Sequence, residues 1–296
     1  MRRVRFRAWA AAAAAAMLLI PAAHAQGAAG AQAPPTDRPP IVVDADDGPL
    51  ALAVAAAVAQ PGDVILVGPG TFDAPGPLPP GATVRGAGAD RTTLRARRFV
   101  GLAGAPRGSL VVEDLTLRAE GPRAVVGVAS AGRLAVRRCA IEGFEHGVAL
   151  AGAEHALIER SVLRGCALGV RTSAGAGGAG AVTLEAVRFE RCRVGLLHLA
   201  GAAELTEGAF AECGVGLVVV AGGGAGLMAD GPAFDRCRRA GAEVIGGERA
   251  GARASGIRAE PAVLLRGPRF VGPAERIIAD RAGLVRIEPT ADGPGG

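Results

Sequence analysis

In the stretch FERCRVGLLHLAG, Phe189 to Gly201, Glu190, Cys192 and His198 stand close together. A thiolate nucleophile or a metal centre would draw on those residue types. Glu145 and His146, just before Gly147, read as an exposed turn and, with Arg171, are the candidates for acid–base chemistry. The segment GGERAGARASGIRAEP, 246–261, carries Arg249, Arg253 and Arg258 beside Glu248 and Glu260, the candidates for binding. Five cysteines are present, at 139, 166, 192, 213 and 237; no CxxC occurs and no spacing matches a zinc pattern.

Whether any of these side chains converge depends on the elements that carry them. From residue 110 onward the chain falls into one repeating frame. Counted from Cys192, positions −10, −8, −5, −3 and 0 are apolar or small, a glycine follows at +3, and apolar residues tend to follow at +4 and +6. One row is Val182, Leu184, Val187, Phe189, Cys192, Gly195, Leu196, His198. The row before it is Ala156, Ile158, Ser161, Leu163, Cys166, Gly169, Val170, Thr172. The anchors Phe144, Cys166, Cys192, Cys213 and Cys237 are 22, 26, 21 and 24 residues apart. Alternation in pairs, with a phase shift between pairs, predicts three short half-buried strands and three turns per repeat. Stacked, such repeats make a parallel β-solenoid. The fold class expected from this frame is all-β, a parallel β-solenoid. A helix over roughly 49–59, ended by Pro61-Gly62, covers the open apolar end of its first coil.

The opening block, from Asp47 to Ala96, resembles the start of the pectin-lyase-like right-handed parallel β-helix superfamily. The matching residues are Ala55 to Ala57, Pro61, Gly62, Asp63, Ile65, Gly70, Thr71, Phe72, Gly81, Thr83, Gly86 and Gly88. The resemblance covers roughly 41–288 and implies the fold, a single-stranded right-handed parallel β-helix. It leaves activity open, because the superfamily holds lyases, hydrolases, esterases, epimerases and non-catalytic proteins. The aspartate pair of polygalacturonase-type hydrolases, the aspartate motifs of pectin methylesterases, the calcium-and-arginine set of pectate lyases and the Asp-Pro-His-Asp of alginate epimerases are not recognisable. Asp44 to Gly48 reads as a turn at the start of the domain.

In this frame Cys166, Cys192, Cys213 and Cys237 share one inward position and form a ladder of small buried side chains. Stacked Cβ vectors run parallel, which favours free structural thiols over a disulfide. His198 also points inward and needs a local hydrogen bond. Outward positions carry alternating charge, as in Glu142, Arg164 and Glu190, and opposite charges on successive coils pair. Glu159 and Glu185 are adjacent and alike, the one pair at a spacing suited to two catalytic carboxylates. No acidic cluster suits calcium, no metal or other cofactor is implied, and no aromatic platform for sugars exists: Tyr is absent and the lone Trp9 lies in the leader.

Residues 1–25 read as a secretory signal peptide, with Arg2, Arg3, Arg5 and Arg7 before an apolar run and Ala23-His24-Ala25 at the cleavage point. Residues 26–40 read as a flexible linker, 173–180 as a flexible excursion and 289–296 as a disordered tail. The chain has 33 basic and 28 acidic residues; without the leader arginines the balance is 29 to 28. That balance argues against nucleic acid as a partner. No later run is long enough to cross a membrane. The expectation is an exported bacterial protein, periplasmic or extracellular. It is either a non-catalytic scaffold or a surface for polysaccharide or another envelope component. The alternative is a lyase or hydrolase of acidic polysaccharide that uses Glu145, His146 or Arg171.

Overall fold

A computed structural model describes residues 38–97, 99–106, 108–175, 180–221, 225–246, 262–272, 277–279 and 284–289. The short alternating segments form parallel strands that stack into three sheets of eleven, nine and nine strands, here A, B and C. One coil runs Arg133–Arg137 in A, Ala140–Glu142 in B and His146–Ala151 in C. Each strand pairs with the equivalent strand of the coils before and after it, giving about nine turns of a right-handed parallel β-helix. The first strand is Ile41–Val43 and the last Val285–Glu288.

Register carries each inward residue type up the stack. Leu134 aligns with Ala156 and then Val182, and Val136 with Ile158 and then Leu184, all buried. In sheet B the inward column ends in Phe189, Phe210, Phe234 and Phe270, whose rings stack at 4.8, 5.1 and 5.0 Å. That spacing is the strand-to-strand step, so the coil sets the ring geometry.

The turn from A to B is very short and swings through one residue in the left-handed region: Asp114, Arg138, Arg160, Ala186 and Glu207 on successive coils, φ 47 to 56°. Gly231 and Gly267 hold the same place later. The glycines at +3 are not turn residues, although a glycine after a short strand reads as one. Gly169, Gly195 and Gly216 lie inside sheet C strands and do not turn the chain. A Cβ on Gly195 would stand 2.5 Å from the Phe210 ring and 2.6 Å from the Gly216 carbonyl. Each glycine is therefore small to admit the phenylalanine of the next coil.

Helix α1, Ala51–Val58, lies at the N-terminal end with Leu52 and Ala55 buried against the first coil. Its Leu50, Val54 and Val58 side face solvent. Asp44 to Gly48 forms a short 3₁₀ turn, with the Asp47 carboxylate accepting from the Asp44 N–H.

Candidate functional site

Because side chains alternate along a strand, half of every coil's residues project outward, and any site must be built from them or from the turns. On sheet A the outward charges pair between coils. Arg85 Nε donates to Glu113 at 2.8 Å, Arg137 donates to the same carboxylate at 3.0 Å, and Arg137 also faces Glu159 at 3.5 Å. Burial alone would raise the Glu113 carboxyl, but the hydrogen bonds from Arg137 and Arg85 hold it below the usual range. On sheet B, Arg118 donates to Glu142 at 2.9 Å, and Arg164 bridges Glu142 at 3.4 Å and Glu190 at 2.8 Å. Glu190 thus faces Arg164 on the preceding coil, as expected from the frame. Glu159 and Glu185 are register partners, but Glu159 is engaged by Arg137 and by Arg160 at 3.6 Å.

The residues of the 189–201 stretch do not converge. All five cysteines are buried and free. Each Sγ contacts a carbonyl of the coil below, Cys192 that of Leu163 at 3.5 Å and Cys213 that of Phe189 at 3.6 Å. Burial pushes the thiol of Cys139 up to about 12 and that of Cys237 up to about 11. Cys166 and Cys213 are pushed up by their contact with Cys192 and then by burial. Contacts with Cys166 and Cys213 lower the pKa of Cys192 between them, yet it is 2% exposed and out of reach of a substrate. Among the described residues no group of three or more His, Cys, Asp or Glu is arranged to hold a metal ion.

His198 is fully buried in sheet C, and its ring is satisfied on both sides. Nε2 lies 3.0 Å from the Gly201 carbonyl, which can only accept, so Nε2 carries the proton. Nδ1 then accepts from the Thr172 hydroxyl at 2.8 Å, and that hydroxyl also accepts the Leu199 N–H at 3.3 Å. The imidazole ties the C-to-A turn to the preceding coil. Burial holds its pKa below the ordinary value.

The outer face of sheet C is different from those of A and B. Glu145 is exposed just before the strand His146–Ala151. His146 is not in the exposed turn expected: it opens that strand, pairs with Val126 and Leu168, and is only 8% exposed. Arg171 is half-buried in the strand Leu168–Ser173, between Ala149 and Leu197 on the neighbouring coils. Burial lowers the His146 pKa, the Arg171 charge lowers it further, and Glu145 opposes both. In register Arg171 stands one coil on from His146 and three residues further along the strand, whereas Arg249, Arg253 and Arg258 fall outside the described residues. Further along the face, Val215, Val218 and Ala240 form a buried apolar cluster with Val194 and Leu197, separate from the core. The sequence carried a signal for it, since positions +2 and +5 are apolar in both of those rows.

These features define the class: a right-handed parallel β-helix, as the resemblance to the pectin-lyase-like superfamily implies. No protein-family model matches the chain, and no curated protein matches it. Similar solved structures include an alginate lyase of family PL6, 12% identical over 86% of this chain and 41% of that one, TM-score 0.48. The chain thus spans about two fifths of that lyase's length. They also include the pectin methylesterase PemA from Erwinia chrysanthemi, 10% identical over 81% and 93% of the two chains, TM-score 0.49. A third is the catalytic unit of a GH87 alpha-1,3-glucanase from Streptomyces thermodiastaticus, 12% identical over 89% and 70%, TM-score 0.32.

Proposed function

We propose that the protein is a non-catalytic, exported β-helix that serves as a rigid scaffold and a binding surface for acidic polysaccharide. The observation that carries this reading is the engagement of four outward carboxylates of sheets A and B. Glu113, Glu142, Glu159 and Glu190 are each held by arginines of the same or neighbouring coils. A carboxylate pair for general acid and base needs both groups free to exchange protons with substrate. Arginines occupy all four, by hydrogen bonds at Glu113, Glu142 and Glu190 and by ion-pair contacts at Glu159. Arg249, Arg253 and Arg258, in a segment inserted between repeats, supply the cationic contacts to the polymer. The reading as a polyuronate lyase would use His146 as base and Arg171 to hold the substrate carboxylate. The burial of His146 speaks against it, since a polymer must reach the base.

Co-sedimentation with a polyuronate gel tests the binding. The wild-type chain is expected to partition with the gel and to lose about tenfold or more in affinity in an Arg249→Ala, Arg253→Ala, Arg258→Ala triple variant, from the loss of three charge-assisted contacts. Unchanged partition of that variant would remove the loop from the account.

A further inference from the structure

We propose that the outer face of sheet C carries a site for one small oxyanion, a carboxylate or phosphate group, held between Arg171 and His146. Two independent observations point to it. Among the described residues Arg171 carries no ion pair, and it is half-buried. The other described arginines that make no ion pair or side-chain hydrogen bond, Arg91, Arg123, Arg191, Arg238 and Arg269, are all exposed to water. Arg171 instead has hydrocarbon neighbours, Ala149 and Leu197, on the coils either side. The second observation is His146. It is more than nine-tenths buried, and its Nδ1 is inaccessible and has no hydrogen-bond partner. A half-desolvated cation and an unsatisfied ring nitrogen both raise the free energy of the protein as it stands.

A single anion relieves both. The guanidinium offers a planar fork of N–H donors that matches two oxygens of a carboxylate or phosphate. The His146 ring donates from Nδ1 in the tautomer that carries its proton there. The charged groups that act on His146 are Arg171, Arg193 and Glu145, so the local balance favours an anion. Size follows from the surroundings. Ala149 is 1% exposed and Leu197 half-buried, so side chains already cover the surface around the guanidinium. The site therefore admits one small group and excludes a length of polymer. It does not depend on the polysaccharide reading, which rests on other residues.

Thermal unfolding of the full chain tests the site, with inorganic phosphate, acetate or a polyuronate added at constant ionic strength against sodium chloride. Phosphate or acetate at about a hundredfold excess over Kd is expected to raise Tm by about 5 °C. Which of the two acts identifies the oxyanion. Arg171→Gln is expected to abolish the shift and Arg191→Gln to keep it. An equal shift in chloride, an equal shift in Arg171→Gln, no shift with either small anion, or a shift with the polyuronate alone would each overturn the proposal. If Arg171→Gln does not fold, the ¹⁵N resonance of His146 Nδ1 in the wild-type chain decides, with His146→Gln assigning the signal. Movement on adding the small anion supports the site, and a stationary signal overturns it.

Discussion

Ala186 sits in the A-to-B turn at φ 50°, a conformation that costs an L-residue about 1 kcal/mol and glycine almost nothing. Ala186→Gly is therefore expected to raise stability by up to about 1 kcal/mol, read as a higher urea midpoint at unchanged m value. A lower midpoint would show that turn strain is not what Ala186 contributes. His198 makes the opposite case. His198→Ala removes a buried ring and strands the Thr172 hydroxyl and the Gly201 carbonyl, so a loss of about 3 kcal/mol is expected in the same experiment. Its inward position was legible because it shares an offset with Leu150, Thr172 and Val219. The burial of His146 was not. Glu-His-Gly has the composition of a turn, and only the pairing with Val126 and Leu168 shows that the strand has already begun there.

Strands are the elements the sequence announces best, since one face of each is buried and its alternation survives in every row. The glycines inside sheet C show where that kind of reading stops. A glycine after a short strand looks like a turn within its own row, yet the reason for Gly195 lies one coil on, in the Phe210 ring and the Gly216 carbonyl. Gly195→Ala is expected to cost about 1–3 kcal/mol by overpacking, and Phe210→Leu in the same chain to recover part of it. Additive losses in that double variant would break the link between the two columns. The ion-pair ladders were legible as alternating charge, but the depth of Glu113 was not. Its side chain is 5% exposed between Arg85 and Arg137. Glu113→Gln is expected to cost about 2–3 kcal/mol, more than an exposed ion pair contributes, measured by chemical unfolding.

Below neutral pH the histidines and carboxylates with shifted pKa values act in one direction. His146 and His198 have pKa values held below the ordinary 6.5, so the folded chain binds fewer protons than the unfolded chain. Their contribution to stability is complete above that value and is lost as pH falls below it. Glu113 and Asp114 lie below 4.5 and 3.8, and their contribution is lost in a second, more acidic step. Tm is therefore expected to fall with acidification in two stages, the first starting near pH 6.5. A flat profile from pH 7 to 5 would contradict the burial of the two imidazoles. The stack also makes the surface repetitive: from Arg85 to Glu159 on sheet A and from Arg118 to Glu190 on sheet B successive coils neutralise one another. The most direct test follows unsaturated and reducing ends while the chain is incubated with polyuronates, with binding to the same polymers measured in parallel. The account predicts binding with no product above that of a heat-denatured sample. Product that accumulates in the wild-type chain and vanishes in a Glu145→Gln, His146→Gln or Arg171→Gln variant would contradict it.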